Sequence, residues 1–361
     1  MDLSSIIQVP AFKSLSRVNP MLLESIRNRQ LYSTAAPKLF HSSGYTGPAD
    51  YYSASEVVID SFDDLSREIG SLMQNQPNLP LVWRGVRDAN WGFHSSLYRA
   101  LSIRNGVVDA ADSSATQPYP TEAEMVEAEA ELLDRARRFW RFDDMSALEI
   151  FARVQHVGGP TRLIDVTRNP YIGAWFAVEE DQGSAGADAR LFALATHPVT
   201  GDSDHTVQMD DFGAAREPFW HGAEGDQENQ LLAWGAGSLR RVWFPPVYDN
   251  RILAQNAGFV FDGVPISIKG SYFKKTGGGY FTKGDLLSAG SIYMKMYRHD
   301  RPVRPSKPGF SPSFSFRITA EAKKDIRETL QSRFGYRASS IYPDAQGLSS
   351  FMTKKLSTVV T

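Results

Sequence analysis

The chain has 361 residues, 42% hydrophobic and 22% charged, enough to bury one large globular core or two modest ones. A formal net charge of −2 argues against a surface that is basic throughout, while leaving room for a local basic face. The absence of cysteine excludes disulfides, thiolate metal sites and cysteine nucleophiles.

Residues 1–55 are rich in Ser, Pro and small polar residues and read as an arm, with a helical piece near Asn19 to Arg29. They show no basic start followed by an apolar stretch, so no signal peptide is expected. No apolar run approaches the ~20 residues of a membrane-spanning helix, so a soluble, cytoplasmic protein is expected, or one delivered into a target cell. A single globular domain is expected over 56–350, with 351–361 as a tail.

Glu56 to Asp60 is a short β-like run, and Ser61 then caps a helix whose apolar positions Phe62, Leu65, Ile69 and Leu72 recur at helical spacing. Leu79 to Gly85 reads as a buried strand ending at a glycine. A long helix is predicted from Thr121 to Asp143, opened by the capping box Thr121-Glu122-Ala123-Glu124. A second helix runs from Ser146 to His156 and closes at Gly158-Gly159-Pro160. A short strand over 161–166 follows, and Asn169-Pro170 opens another helix to about Glu180. Arg190 to Ala195 is a core strand. The acidic stretch 201–230 reads as a long loop, solvated or functional, and strand-like runs follow at 241–244, 258–261 and, less clearly, 265–269. Residues 297–309 read as a basic, Pro-rich linker, and a helix from Thr319 to Phe334 closes the pattern.

Three local features carry chemistry. Arg84 stands at a strand end before Gly85, where a rigid guanidinium suits bidentate binding of phosphate or carboxylate and glycine admits close ligand approach. The same arginine also suits pairing with a core acid. The segment Gln155 to Pro170 packs a helix end, a glycine turn, a strand and a new helix start into sixteen residues. Its alternation sets Arg162, Ile164 and Val166 against Leu163, Asp165 and Thr167. Thr167 and Asn169 lie where free N–H groups open a helix, a natural anion site, although plain N-capping explains them equally. His156 suits either a site or a packed helix end, and the histidines show no metal-ligand spacing. In the third feature, Asn250 to Phe259, Gln255 lies at a site rim or in solvent.

These residues resemble the FRG family, named for an aromatic-Arg-Gly signature that appears here as Trp83-Arg84-Gly85. The resemblance extends through Asn90-Trp91, Ser96-Leu97-Tyr98-Arg99, the block from Gln155 to Pro170, Phe176-Ala177, Arg251 to Phe259, and Ile341-Tyr342-Pro343-Asp344 with Gly347-Leu348. The order of features is in turn similar to the ADP-ribosyltransferase fold. That implies an α+β protein with a pair of small curved sheets and flanking helices, using NAD as substrate and no metal. Under this resemblance Arg84 holds the NAD phosphates, and Arg162, Thr167 and Tyr171 line the cofactor site. His156 or Asn169 orients a ribose, and Trp175 or Phe176 stacks on nicotinamide. Gln255 stands where a catalytic glutamate is expected, so Asp165, Glu217 or Glu228 would supply the negative charge. The acceptor would be a protein or a nucleic acid, with no membrane partner, in a bacterial toxin, effector or defence setting. The alternative is a non-catalytic nucleotide- or nucleic-acid-binding domain, for which Tyr297 to Arg304 offers basic and aromatic contacts. A metal nuclease lacks the paired carboxylates it needs.

Overall fold

A computed structural model describes residues 47–53, 55–106, 119–180, 182–184, 186–199, 213–223, 225–266, 281, 283–305 and 309–357. The helical piece expected near 19–29 and the first part of the acidic stretch, 201–212, lie outside the described residues. The helices are α1 (Pro48–Ser53), α2 (Phe62–Asn75), α3 (Ser96–Arg104), α4 (Glu122–Phe139), α5 (Ala147–His156), α6 (Pro170–Val178), α7 (Gly225–Leu231), α8 (Asn250–Ala254), α9 (Lys283–Ala289), α10 (Ala322–Phe334), α11 (Ala338–Ile341) and α12 (Ala345–Ser357). The strands are β1 (Val57–Ile59), β2 (Leu81–Val86), β3 (Ile164–Thr167), β4 (Ala189–Ala195), β5 (Arg241–Trp243), β6 (Ala257–Phe261), β7 (Lys295–Met296) and β8 (Pro312–Ile318).

Local chemistry sets the helix starts. The Ser61 hydroxyl accepts from the Asp64 amide at 3.1 Å and opens α2, which buries Phe62, Leu65, Ile69 and Leu72. Thr121 and Ser146 open α4 and α5 with complete capping boxes, closed by Glu124 and Glu149. Asn169 opens α6, its side-chain oxygen accepting from Tyr171 and Ile172 before Pro170 in the first turn.

The protein is mixed α+β. In place of two sheets, the strands join one eight-stranded sheet in the order β1-β8-β4-β2-β3-β6-β5, with β7 beside β8. The expected pair of separate sheets is therefore not found; the single sheet has a seam where β2 and β3 meet through one register pair, Trp83 with Thr167. On one side of this seam β4 pairs with β2 over six positions, and on the other β3 pairs with β6 over four. Helices cover both faces. Trp83, Leu191, Ala193, Phe314 and Phe316 pack with α2, α6 and α10, while Val82, Phe192, Leu194 and Val260 pack on the opposite side with α1 and α9.

Alternation along β2 sends Trp83 and Gly85 towards α6 and leaves Val82, Arg84 and Val86 for the other face. Gly85 is therefore a packing residue on its α6 side. A Cβ there would lie 2.0 Å from the Gly173 carbonyl oxygen and 2.5 Å from the Ala177 amide nitrogen. Gly85→Ala must push α6 off the sheet, and denaturant unfolding should show a loss of about 1–3 kcal/mol or more. Unchanged stability would mean that α6 yields freely at this point.

Two segments expected as irregular are built. Residues 219–222 form a short 3-10 helix and 225–231 form α7, so the second half of the acidic stretch is structured. The described part of the basic linker is pinned by buried Gln76, which donates to the Arg301 carbonyl at 2.9 Å and accepts from the Val303 amide at 3.3 Å. The expected strand near 265–269 is absent over 265–266, and its remainder lies outside the described residues.

Candidate functional site

Where β2 and β3 part, a cleft of about 1170 Å³ opens, lined from β2, β3, α3, α5, α6, the turn from α8 into β6, and α12. Arg84 bridges the gap that strand pairing leaves: its Nη1 donates to the Asp165 backbone carbonyl at 2.8 Å and lies 3.7 Å from the Asp165 carboxylate. Asp165 is the exposed position in β3, with 59% of its side chain accessible, and the Gln155 amide donates at 3.1 Å to Oδ2, the carboxylate oxygen that faces Arg84. Gln155 is itself fixed through its oxygen by the hydroxyls of Thr161 at 2.7 Å and Ser96 at 3.2 Å. Burial pulls the Arg84 pKa below its ordinary value, with Asp165 opposing, but a guanidinium stays charged at any physiological pH.

A second guanidinium enters from α3. Arg99 donates to the His94 carbonyl at 2.7 Å, and its pKa is lowered by burial and then by repulsion from Arg84. Sequence reasoning placed Arg99 in a motif but gave it no role. At the other end of the cleft lies an acid it missed, Glu179, which accepts from the Tyr342 hydroxyl at 3.1 Å and faces Arg87 at 3.8 Å. Burial, helped by Glu179, pushes the Tyr342 hydroxyl pKa well up. Phe176 packs on Tyr342 and Trp91 stands 46% exposed, so planar groups have surfaces to lie on.

Arg84, Asp165, His156, Thr167, Phe176 and Gln255 thus share the cleft. Thr167 has no free hydroxyl, since it donates to the Gln255 carbonyl at 2.7 Å and accepts from the Asn169 amide at 3.0 Å. The Gln255 amide donates to the Ile341 carbonyl at 3.1 Å, leaving its side-chain oxygen as the acceptor.

Other expected site residues lie elsewhere. Asn169 caps α6 and donates to the Tyr336 hydroxyl at 2.9 Å, so capping accounts for it. Tyr171 turns to the opposite side of α6, with its ring 5.0 Å from Phe334. Trp175 is buried in the core. Arg162 is fully buried and saturated: it grips Glu129 with Nε at 2.6 Å and Nη2 at 3.0 Å and reaches Glu122 at 3.0 Å. Glu217 pairs with Arg137 at 2.6 Å, Glu228 sits in α7, and neither lines the cleft.

His156, Asp249 and Asp344 bring ligand-type atoms within 4.8 Å of one another, a cluster that sequence spacing did not reveal. Its organising group is Arg251. Asp344 gives both oxygens to that guanidinium at 2.7 and 2.8 Å, and Asp249 accepts from the Arg251 amide at 2.7 Å. A cation would have to displace the guanidinium, so the cluster suits a latch between α8 and the segment leading into α12 better than a metal centre.

Residues 80–185 match the model of the FRG domain. The matched segment runs from the start of β2 to just before β4, and it contains Arg84, Arg99, Asp165 and Glu179. Neither the curated proteins nor the solved structures include a match to the chain. Among the described residues, no helix is long and apolar enough to cross a membrane.

Proposed function

We propose that the cleft binds NAD and breaks its nicotinamide–ribose bond, passing ADP-ribose to a protein or nucleic-acid acceptor. The observation that carries this reading is the placing of the Arg84 guanidinium beside the exposed Asp165 carboxylate in a cleft large enough for a dinucleotide. In the reaction the C–N glycosidic bond breaks and its electron pair leaves with nicotinamide. C1′ of the ribose becomes cationic, and the acceptor's nucleophile forms the new bond while giving up its proton.

Arg84 suits the phosphates, and Asp165 suits the charge that develops at C1′. The free oxygen of Gln255 suits a ribose hydroxyl, and the face of Phe176 suits nicotinamide. His156, 3.7 Å from Asp249, suits the acceptor's proton. Such chemistry belongs in a bacterial toxin, effector or defence protein acting in the cytoplasm. A second reading, nucleotide binding without turnover, draws on Gln255, whose neutral amide offers a hydrogen bond and no charge.

The test is incubation with labelled NAD, with and without cell lysate, following nicotinamide release and label transfer. NAD at 100 times its dissociation constant should add about 2.7 kcal/mol of stability to the wild type. Arg84→Ala loses one hydrogen bond to the Asp165 carbonyl, about 1 kcal/mol, and should fold yet gain nothing from NAD. Binding without nicotinamide release would favour the second reading. Neither binding nor release would sink both.

A further inference from the structure

Arg99 has a structural neighbourhood that α3 alone does not require. Its guanidinium folds back on the start of its own helix, using one nitrogen on the carbonyl of His94. That residue is locked in turn: the His94 ring bonds the Leu287 carbonyl at 2.8 Å and stacks on Tyr98 at 5.2 Å and 10°. Arg84 is fixed in the same way, by one nitrogen on one backbone carbonyl. Each guanidinium carries five N–H donors, so the greater part of both forks is left for something else.

Their charges are poorly balanced. Both line the same cleft and repel each other, and the one carboxylate that acts on both is Asp165, which is mostly exposed and stands 3.7 Å from Arg84. Among the described residues Arg99 forms no ion pair within 4.0 Å. Compare Arg162, which meets two carboxylates at 2.6 and 3.0 Å. Arg162 is buried, whereas Arg84 is half-buried and Arg99 exposed, so the two cleft guanidinia stand open to an anion rather than matched by core acids.

We infer that Arg84 and Arg99 together form a diphosphate subsite, which selects ligands carrying two bridged phosphoryl groups over ligands carrying one. The inference rests on the NAD reading above and adds Arg99 as the second arginine at its diphosphate. One guanidinium comes from β2 and the other from α3, so each fork takes a separate phosphoryl group. A single phosphate, with its oxygens on one centre, satisfies one fork well and leaves the other cation bare.

The test uses the full chain and calorimetric titration with inorganic pyrophosphate, orthophosphate and sulfate at fixed ionic strength. The wild type should bind pyrophosphate about tenfold or more tightly than orthophosphate. Arg99→Gln should lose most of that preference while binding orthophosphate nearly as before, and Arg99→Lys should recover part of it. The salt dependence of pyrophosphate binding should also weaken in Arg99→Gln, because one cation is gone. Equal affinity of the wild type for pyrophosphate and orthophosphate would overturn the inference whether or not the variants fold. So would an intact preference in Arg99→Gln. Pyrophosphate selectivity without NAD cleavage would remove the transferase reading and leave the subsite standing. NAD cleavage with KM unmoved in Arg99→Gln, together with an intact pyrophosphate preference, would do the reverse.

Discussion

Glu129→Ala should lower the free energy of unfolding by about 3–5 kcal/mol, read as a fall in the denaturant midpoint at constant slope. Glu129 is buried in α4 and takes four donors: Arg162 twice, the Trp220 indole at 2.9 Å and the His221 ring at 3.2 Å. Alanine would strand the Arg162 guanidinium in the interior, and an uncompensated buried charge is the costly outcome. Glu122 remains at 3.0 Å, so the loss should stay below that of a wholly isolated cation.

The same site fixes the direction of a pH effect. Burial alone would raise the Glu129 pKa, but Arg162, His221 and Trp220 outweigh it and bring it from the ordinary 4.5 to about 2. The folded value lies below the unfolded one, so this stabilisation is full above pH 4.5 and is lost as pH falls towards 2. It amounts to about 3 kcal/mol. Asp262 runs the other way. Burial, only partly offset by Arg241 and the amides of Gly235 and Gly263, pushes its pKa up from 3.8 to about 6, so folding is favoured while it is protonated and weakens as pH rises through that interval. In Glu129→Ala the acid-side slope should flatten, and the Asp262 interval should persist. An unaltered acid limb would show that other carboxylates control acid unfolding.

The parts of the fold that were readable from sequence are those governed by neighbours in the chain. Ser61, Thr121, Ser146 and Asn169 each announce a helix start because a cap bonds amides two or three residues on. β8 escaped notice although Phe314, Phe316 and Ile318 alternate. Its intervening serines look like a solvated face, but Ser313 accepts from buried Arg240 at 2.9 Å and Ser315 from buried Arg190 at 2.6 Å. A serine paired with a distant arginine carries no local signal.

The candidate site was half legible for the same reason. Arg84 and Asp165 stood out singly, but what brings them together is a sheet seam 81 positions apart in sequence. Arg162 and Asp165 are three residues apart, yet one serves an internal acid cluster and the other the cleft. On α6, Tyr171 and Phe176 lie five residues apart, about 140° around the helix axis, so only one of them can face the cleft. Sequence alone does not orient a helix that is apolar on nearly every side.

Asp165→Asn should separate binding from chemistry. Asparagine keeps the shape and can still accept from Gln155, so the cleft should survive with stability nearly unchanged. Removing the negative charge beside Arg84 should tighten inorganic pyrophosphate binding, because the guanidinium no longer has an internal competitor for the anion. Turnover of NAD should move the other way, falling by about 10²–10³ in kcat, the scale of removing one preorganised electrostatic contact from a transition state. Tighter binding with slower turnover is a combination that mere unfolding or misplacement does not produce, since either would weaken both. An undiminished kcat would shift the charge-stabilising role to Glu179, the cleft's other well-placed acid, whose carboxylate is already held by the Tyr342 hydroxyl and faced by Arg87. Glu179→Gln would then show the loss that Asp165→Asn did not.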